Sequence, residues 1–449
     1  MKLLAGLVVS LVLALNAMPA GAQSAAAASQ SATASAAGNS AGANGDTPGS
    51  IPIGTRITAQ NWQSYQSFMP DGMVALFQGK YYWKMPADTQ IEVGPTIIHS
   101  LPANYVAATE KYSSQVSIVE LPSGGLNLRG YSGGAPFPNP AEPHKGWKIL
   151  TDVWYRYIPH LIVDPHGISC GQNSLGNINC GSNQFVGRQL SFNTDPGVPS
   201  TIPGAGDKFY TEWFMTLEPE NERYNASVVI SYADLSKEQD IYAFVPSLRR
   251  AQRVASSARC SQYSGTDFTS DEYRYGFNAN LTQMKVDFVG DKKILALVDA
   301  DFPTAEYPAG YDMPLGWPLP SWGKWQVRDV SVISVSKIPS AASGYCYGKR
   351  VMYVDKATSA TLWLDLYDMQ MNYWKFGGFF LKTLEVPGVG PVTSSGAAVE
   401  AMWDMQNKHS SIFTDPGLSN PFYVNELAPK EYNDVTRYST ASGLSQIMQ

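Results

Sequence analysis

Charge, histidine and cysteine are all scarce in this chain of 449 residues: charged residues make up 16%, with five His and four Cys. The net charge of −6 is spread along the chain and leaves no basic face, which excludes nucleic acid as the expected partner. No HExxH, P-loop or GxGxxG pattern occurs, so no cofactor is expected from a motif. There is no CxxC or CxxxxC pair to suggest zinc. His144, His160 and His166 are spaced 16 and 6 residues apart, which places no two on one helical face. Beyond the N-terminus no apolar run reaches membrane-spanning length without a charge or a proline.

The N-terminus is patterned for export. Lys2 supplies a positive charge, Leu3 to Ala17 is apolar, and Met18-Pro-Ala-Gly-Ala22 is a small-residue cleavage pattern, so residues 1–22 read as a signal peptide cut after Ala22. Gln23 follows the cut, not the cysteine that a lipoprotein needs, and the mature chain is expected to be soluble and periplasmic. Residues 23–50 are rich in Ala, Ser and Gly and bury too little apolar surface to offset chain entropy, which predicts a disordered leader. Residues 51–449 remain, enough for a large core, and are read as a single domain.

An even cysteine count in an exported chain predicts disulfides. Cys170 and Cys180 flank a polar loop and pair by proximity, leaving Cys260 with Cys346, although four cysteines allow three connectivities. In the chain-entropy model these closures contribute about 2.8 and about 4.6 kcal/mol.

Aromatics are plentiful at 12% of residues, with abundant Gly and Pro, which favours a β-rich fold. Short apolar runs recur from Lys208 to Phe380 between Gly, Asp and Pro connectors. The sharpest is the meander Arg350–Asp355, Thr361–Asp368, Tyr373–Phe380. Its middle run places Leu362, Leu364 and Leu366 on one face and Trp363, Asp365 and Tyr367 on the other. Thr58–Phe77 reads as a helix carrying Trp62 and Phe68, broken at Pro70-Asp-Gly72, and Gly146–Tyr157 fits a short helix or a strand.

Two features invite a chemical reading. Gly167-Ile-Ser169-Cys-Gly171 spells GxSxG, but a nucleophile elbow needs a strand-to-helix turn and the residues that follow are loop-like. Arg249, Arg250 and Arg253 suit an anionic headgroup, with Arg249 and Arg253 on one strand face. The plainer reading pairs them with acids such as Asp271 or Glu272.

Three ordered blocks carry a resemblance: Gly130-Tyr-Ser-Gly-Gly-Ala-Pro-Phe-Pro-Asn-Pro140; Tyr242 with Pro246, Arg249, Arg250 and Arg253; and Arg350–Asp355 followed by Trp363, Asp365, Tyr367, Asp368, Trp374 and Lys375. Together they resemble a bacterial domain-of-unknown-function family of outer-membrane lipoprotein-sorting-like proteins, related to the periplasmic carriers of the Lol system. The resemblance implies an α+β, β-rich fold: a large curved antiparallel sheet, an open half-barrel, with helices packed on or plugging its concave face. It also implies a carrier of a lipid or other hydrophobic molecule, accessory to envelope transport and without covalent chemistry, catalytic residues or metal. An inner-membrane transporter or outer-membrane protein is the implied partner.

On that reading Leu362, Trp363, Leu364, Leu366, Tyr367 and Trp374 wall a cavity covered by the helix of Trp62 and Phe68, and the three arginines hold a headgroup. The alternatives are an exported serine hydrolase using Ser169, and a non-enzymatic adaptor docking through the Tyr131–Pro140 loop.

Overall fold

Alternating apolar residues with tight polar turns give strands that pair in sequence order, and here they build one sheet of 14 strands. The computed structural model describes residues 49–255, 259–262, 265–301, 303, 305–393, 397–414 and 422–447. The signal peptide and all but the last two residues of the leader lie outside the described residues.

The first meander comprises β1 (Leu161–Gln172), β2 (Ile178–Gln189), β3 (Lys208–Glu218), β4 (Ala226–Tyr232), β5 (Asp240–Val245) and β6 (Arg250–Val254). The second comprises β7 (Met284–Ala296), β8 (Gln326–Lys337), β9 (Lys349–Asp355), β10 (Thr361–Tyr367), β11 (Tyr373–Leu381), β12 (Ala397–Asp404) and β13 (His409–Thr414). Pairing of β13 with β1 joins the two meanders, and the short β14 (Tyr423–Val424) extends β1 beyond the end of β13. The order ends at β6 on one side and β7 on the other, so the sheet is not closed.

Turn chemistry sets the hairpins. Asp368 Oδ1 accepts from the amides of Gln370 and Asn372, each at 2.9 Å, and fixes the β10–β11 turn. Asn173 does the same between β1 and β2, where Cys170 faces Cys180 in register and is bonded to it. The second disulfide joins Cys260 to Cys346. Both pairings are those expected.

Register divides the sheet into two faces. Leu364, Gly377, Met402, Ser411 and Gly171 are successive partners on one, the leucine face. Asp365, Phe376, Trp403 and Ser410 follow one another on the other, the tryptophan face. Both faces are covered. On the tryptophan face of the second meander, Trp317, Trp325, Trp363, Phe376 and Trp403 stack at centroid distances of 5.1 to 6.0 Å. On the same face of the first meander, Trp213 meets Tyr438 edge-on at 5.2 Å, with Val186, Val228 and Leu444 around them.

The expected kinked helix over Thr58–Phe77 resolves into a 3-10 turn, Trp62–Phe68, and a helix α1, Asp71–Gln78, with the break at Pro70. It docks on the tryptophan face: the Gly72 amide donates to Asp365 Oδ1 at 3.1 Å, and a Cβ on Gly72 would lie 2.1 Å from Phe376 Cδ2. Helix α2 (Ala103–Tyr112) is tied to α3 (Lys145–Tyr155) by the Tyr105 hydroxyl on the Tyr155 carbonyl, and α3 packs on β7 and β8. The ambiguous Gly146–Tyr157 stretch is thus helical as far as Tyr155: nine of the eleven residues of α3 are buried, a degree of burial that hides any simple periodicity.

Candidate binding site

Alternation on β3 sends Tyr210, Glu212 and Phe214 to the leucine face, beside Phe185 of β2 and Val229 of β4. These side chains line a cavity of about 90 Å³ that also reaches Phe413 on β13 and Glu400 on β12. From β4 to β12 there are five strand steps, which on a flat sheet would span about 24 Å. One small cavity touching both strands therefore requires the sheet to bend around it, making the leucine face concave here. Phe268 and Arg274, from the segment linking β6 to β7, cover the cavity.

The covering segment is held down by buried charges. Arg350, on the leucine face, sits 3.4 Å from Asp271 Oδ2 and 3.8 Å from Glu272 Oε1; Arg259 reaches Asp271 Oδ1 at 2.6 Å. Burial alone would raise the Asp271 carboxyl, but Arg259 and Arg350 outweigh it and hold the group below its ordinary value. Lys375 Nζ donates to the Asp267 carbonyl at 2.5 Å, and His409 Nδ1 lies 2.6 Å from Asp267 Oδ2.

Two polar groups at the cavity are incompletely satisfied among the described residues. Arg274 is 5% exposed; its Nη2 donates to the Trp154 carbonyl at 3.0 Å, while Nε and Nη1 have no hydrogen-bond partner. Its guanidinium lies against the rings of Trp154 and Tyr210, 4.3 and 4.4 Å from their centroids. Asn183, also 5% exposed, has an unpartnered Nδ2. Burial pushes the Glu212 carboxyl up to about 7, partly offset by Arg274, and Asn278 Nδ2 donates to it at 2.9 Å.

Residues 56–441 match the family described as protein of unknown function, DUF1329. The chain belongs to the DUF1329 family. Among solved structures it is similar to a Vibrio parahaemolyticus domain named for outer membrane lipoprotein sorting, at 14% identity and a TM-score of 0.45, covering 68% of this chain and 99% of that one. It is similar to a DUF1329 family protein from Desulfovibrio piger at 10% identity and a TM-score of 0.44, covering 66% and 98%. A LolA superfamily protein from Nitrosomonas europaea matches at 12% identity and a TM-score of 0.36, covering 64% and 96%. No curated protein matches the chain.

In this DUF1329 protein the residues singled out from sequence fall in three places. Leu362, Leu364 and Leu366 lie on the leucine face, at most 1% exposed and outside the lining of the cavity. Trp363 lies on the opposite face, stacked on Phe376, with its indole donating to the Leu295 carbonyl at 2.9 Å. Half-buried Tyr367 carries Lys349 over its ring at 4.1 Å, and Trp374 donates to Asp404 at 2.9 Å. Trp62 stacks on Phe77, and with half-buried Phe68 it packs near α1 and not over the cavity, because Asp365 and Phe376 anchor that helix to the tryptophan face.

The three arginines stand apart from the cavity. Arg249 is not on a strand: it adopts a left-handed turn (φ 48°) between Leu248 and β6, so it shares no strand face with Arg253. Arg249 and Arg250 are exposed, and Arg253 pairs with Asp240 across the β5–β6 hairpin. The acids once matched to them, Asp271 and Glu272, are taken by Arg350 and Arg259.

Ser169 lies inside the extended strand β1, opposite Gly181 and Phe413, so the strand-to-helix turn of a nucleophile elbow is absent there. His160 is hydrogen-bonded to Asp195 at 2.8 Å, and the described residues hold no cluster of three metal-ligating groups. The Tyr131–Pro140 loop contributes Pro138 and Pro140 to a separate cleft of about 830 Å³ beside α2 and α3, whose lining mixes Lys145, Asp152 and Asp355 with apolar groups.

Sequence reasoning missed Arg274, Glu212 and Asn183. An acid on an otherwise aromatic strand face, Tyr210-x-Glu212-x-Phe214, was the signal available. Arg274 had none, since its segment has no periodicity.

Proposed function

We propose that this protein is a periplasmic binding or carrier protein for a lipid or another hydrophobic molecule, without covalent chemistry. The observation that carries the reading is the cavity on the concave face, walled by Ile162, Phe185, Phe214, Val229 and Phe413 with a few convergent polar groups. That combination suits a ligand that is apolar over most of its surface and polar at one end. Two disulfides fit an oxidising compartment and support export.

At about 90 Å³ the cavity is well below the ~300–1,000 Å³ of ordinary ligand pockets, so a long chain has to displace Phe268 and its neighbours on the covering segment. Apolar burial at about 25 cal/mol per Å² supplies the affinity, less the cost of that displacement. The test is mass spectrometry of protein purified without detergent, together with titration by a fluorescent fatty-acid probe. Extractable lipid or saturable probe binding is the expected result. A clean protein that ignores the probe overturns the reading.

A further inference from the structure

The arginine that faces the cavity is held as if waiting for an anion. Its guanidinium faces lie against Trp154 and Tyr210, and one N–H is spent on the Trp154 carbonyl. Nε carries one further N–H and Nη1 two, and none of these has a partner among the described residues. Among the described residues no carboxylate forms an ion pair with Arg274, whereas Arg350 and Arg259 are both paired with Asp271. Glu212 acts on Arg274 through space without forming an ion pair with it, and buried donors without acceptors are costly. Asn183 adds an unpartnered amide Nδ2 at the same cavity.

Building on the carrier reading above, we infer that the ligand is a carboxylate-bearing amphiphile, a long-chain monocarboxylate whose headgroup is held by Arg274 Nε and Nη1 and by Asn183 Nδ2. The apolar walls from Phe185, Phe214 and Val229 then receive the first carbons of the chain. A single guanidinium suits a single negative charge. Planar guanidinium edges suit a planar carboxylate. Burial brings the Glu212 carboxyl to about 7, and an incoming anion favours its neutral form further; Glu400, half-buried on β12, is the other acid of the lining.

The experiment compares binding of palmitate, hexadecanol, hexadecyl phosphate and acetate to the full-length mature protein by isothermal calorimetry. The same titrations are run on Arg274→Gln and Asn183→Ala. Palmitate is expected to bind at least about tenfold tighter than hexadecanol, the difference a charge-assisted hydrogen-bond set makes. Arg274→Gln is expected to bring the palmitate-to-hexadecanol affinity ratio close to one, and Asn183→Ala to reduce that ratio. Acetate alone is expected not to bind, since the headgroup lacks the apolar contribution.

Equal affinity of the wild-type protein for palmitate and hexadecanol overturns the inference while leaving the carrier reading intact. Tighter binding of the alkyl phosphate than of palmitate overturns the carboxylate assignment. Failure of every long-chain ligand to bind overturns the carrier reading itself. The acid-to-alcohol ratio is read on the wild-type protein, so the inference stays testable if a variant does not fold.

Discussion

Asp365 is a buried carboxyl whose titration the fold displaces. It is fully buried on the tryptophan face and accepts from the Gly72 amide at 3.1 Å, the Tyr373 hydroxyl at 2.6 Å and the Tyr353 hydroxyl at 3.0 Å. Burial raises its carboxyl from 3.8 to about 7, with those hydrogen bonds opposing the rise and Asp71 adding to it. A carboxyl raised in the folded state contributes its stability in full below its unfolded value and loses it as pH climbs through the folded value.

A rise of about three units at about 1.36 kcal/mol each is worth about 4 kcal/mol in all, of which about 2.5 kcal/mol falls between pH 5 and pH 8. Asp365→Asn keeps the shape and removes the charge. Its amide must turn a donor toward Tyr353, so an offset of about 1 kcal/mol at pH 5 is expected from the altered hydrogen bonds. Urea unfolding followed by tryptophan fluorescence at both pH values gives the comparison. Wild type is expected to lose about 2.5 kcal/mol relative to the variant on going from pH 5 to pH 8. Parallel profiles for the two proteins would refute the reasoning.

Two further expectations concern the docking of α1 and the covering segment. Gly72→Ala places a Cβ 2.1 Å from Phe376 Cδ2 and 2.4 Å from the Tyr373 hydroxyl; overpacking of about 1–3 kcal/mol outweighs the helix-propensity gain of about 1 kcal/mol, so the melting temperature falls. A rise in melting temperature for that variant would show that the ring stack yields. His409 is raised above 6.5, chiefly by its hydrogen bond to Asp267 and against its own partial burial. Its contribution is therefore present below pH 6.5 and lost as pH rises through the folded value. His409→Gln is expected to flatten that part of the stability profile, and an unchanged slope counts against the His409–Asp267 pair as an anchor.

Much of the architecture was legible because the relevant physics is local. The meander from Arg350 to Phe380 appears as three paired strands, with Leu362 and Trp363 on opposite faces, since a period of two follows from backbone geometry alone. Asp368 and Asn173 mark their turns by bonding their own neighbours' amides. The disulfide between Cys170 and Cys180 followed from proximity along the chain. The order of three sequence blocks was enough to place the chain beside the family that residues 56–441 match.

What covers each face was not legible. The pattern Leu362-x-Leu364-x-Leu366 states that three leucines share a side, and says nothing of what lies against it. Only the tertiary structure placed α1 on the tryptophan face, through contacts between Gly72 and Asp365, 293 positions apart. It also moved the interest from Arg249, Arg250 and Arg253, which are exposed or paired at a hairpin edge, to Arg274, which is buried at a cavity. The sequence by itself determined the strands and their sidedness and pointed to the Cys170–Cys180 staple, because those depend on neighbours in the chain. The bend of the sheet, the identity of its concave face and the unpaired guanidinium there arise from pairings between distant segments. No local periodicity encodes them.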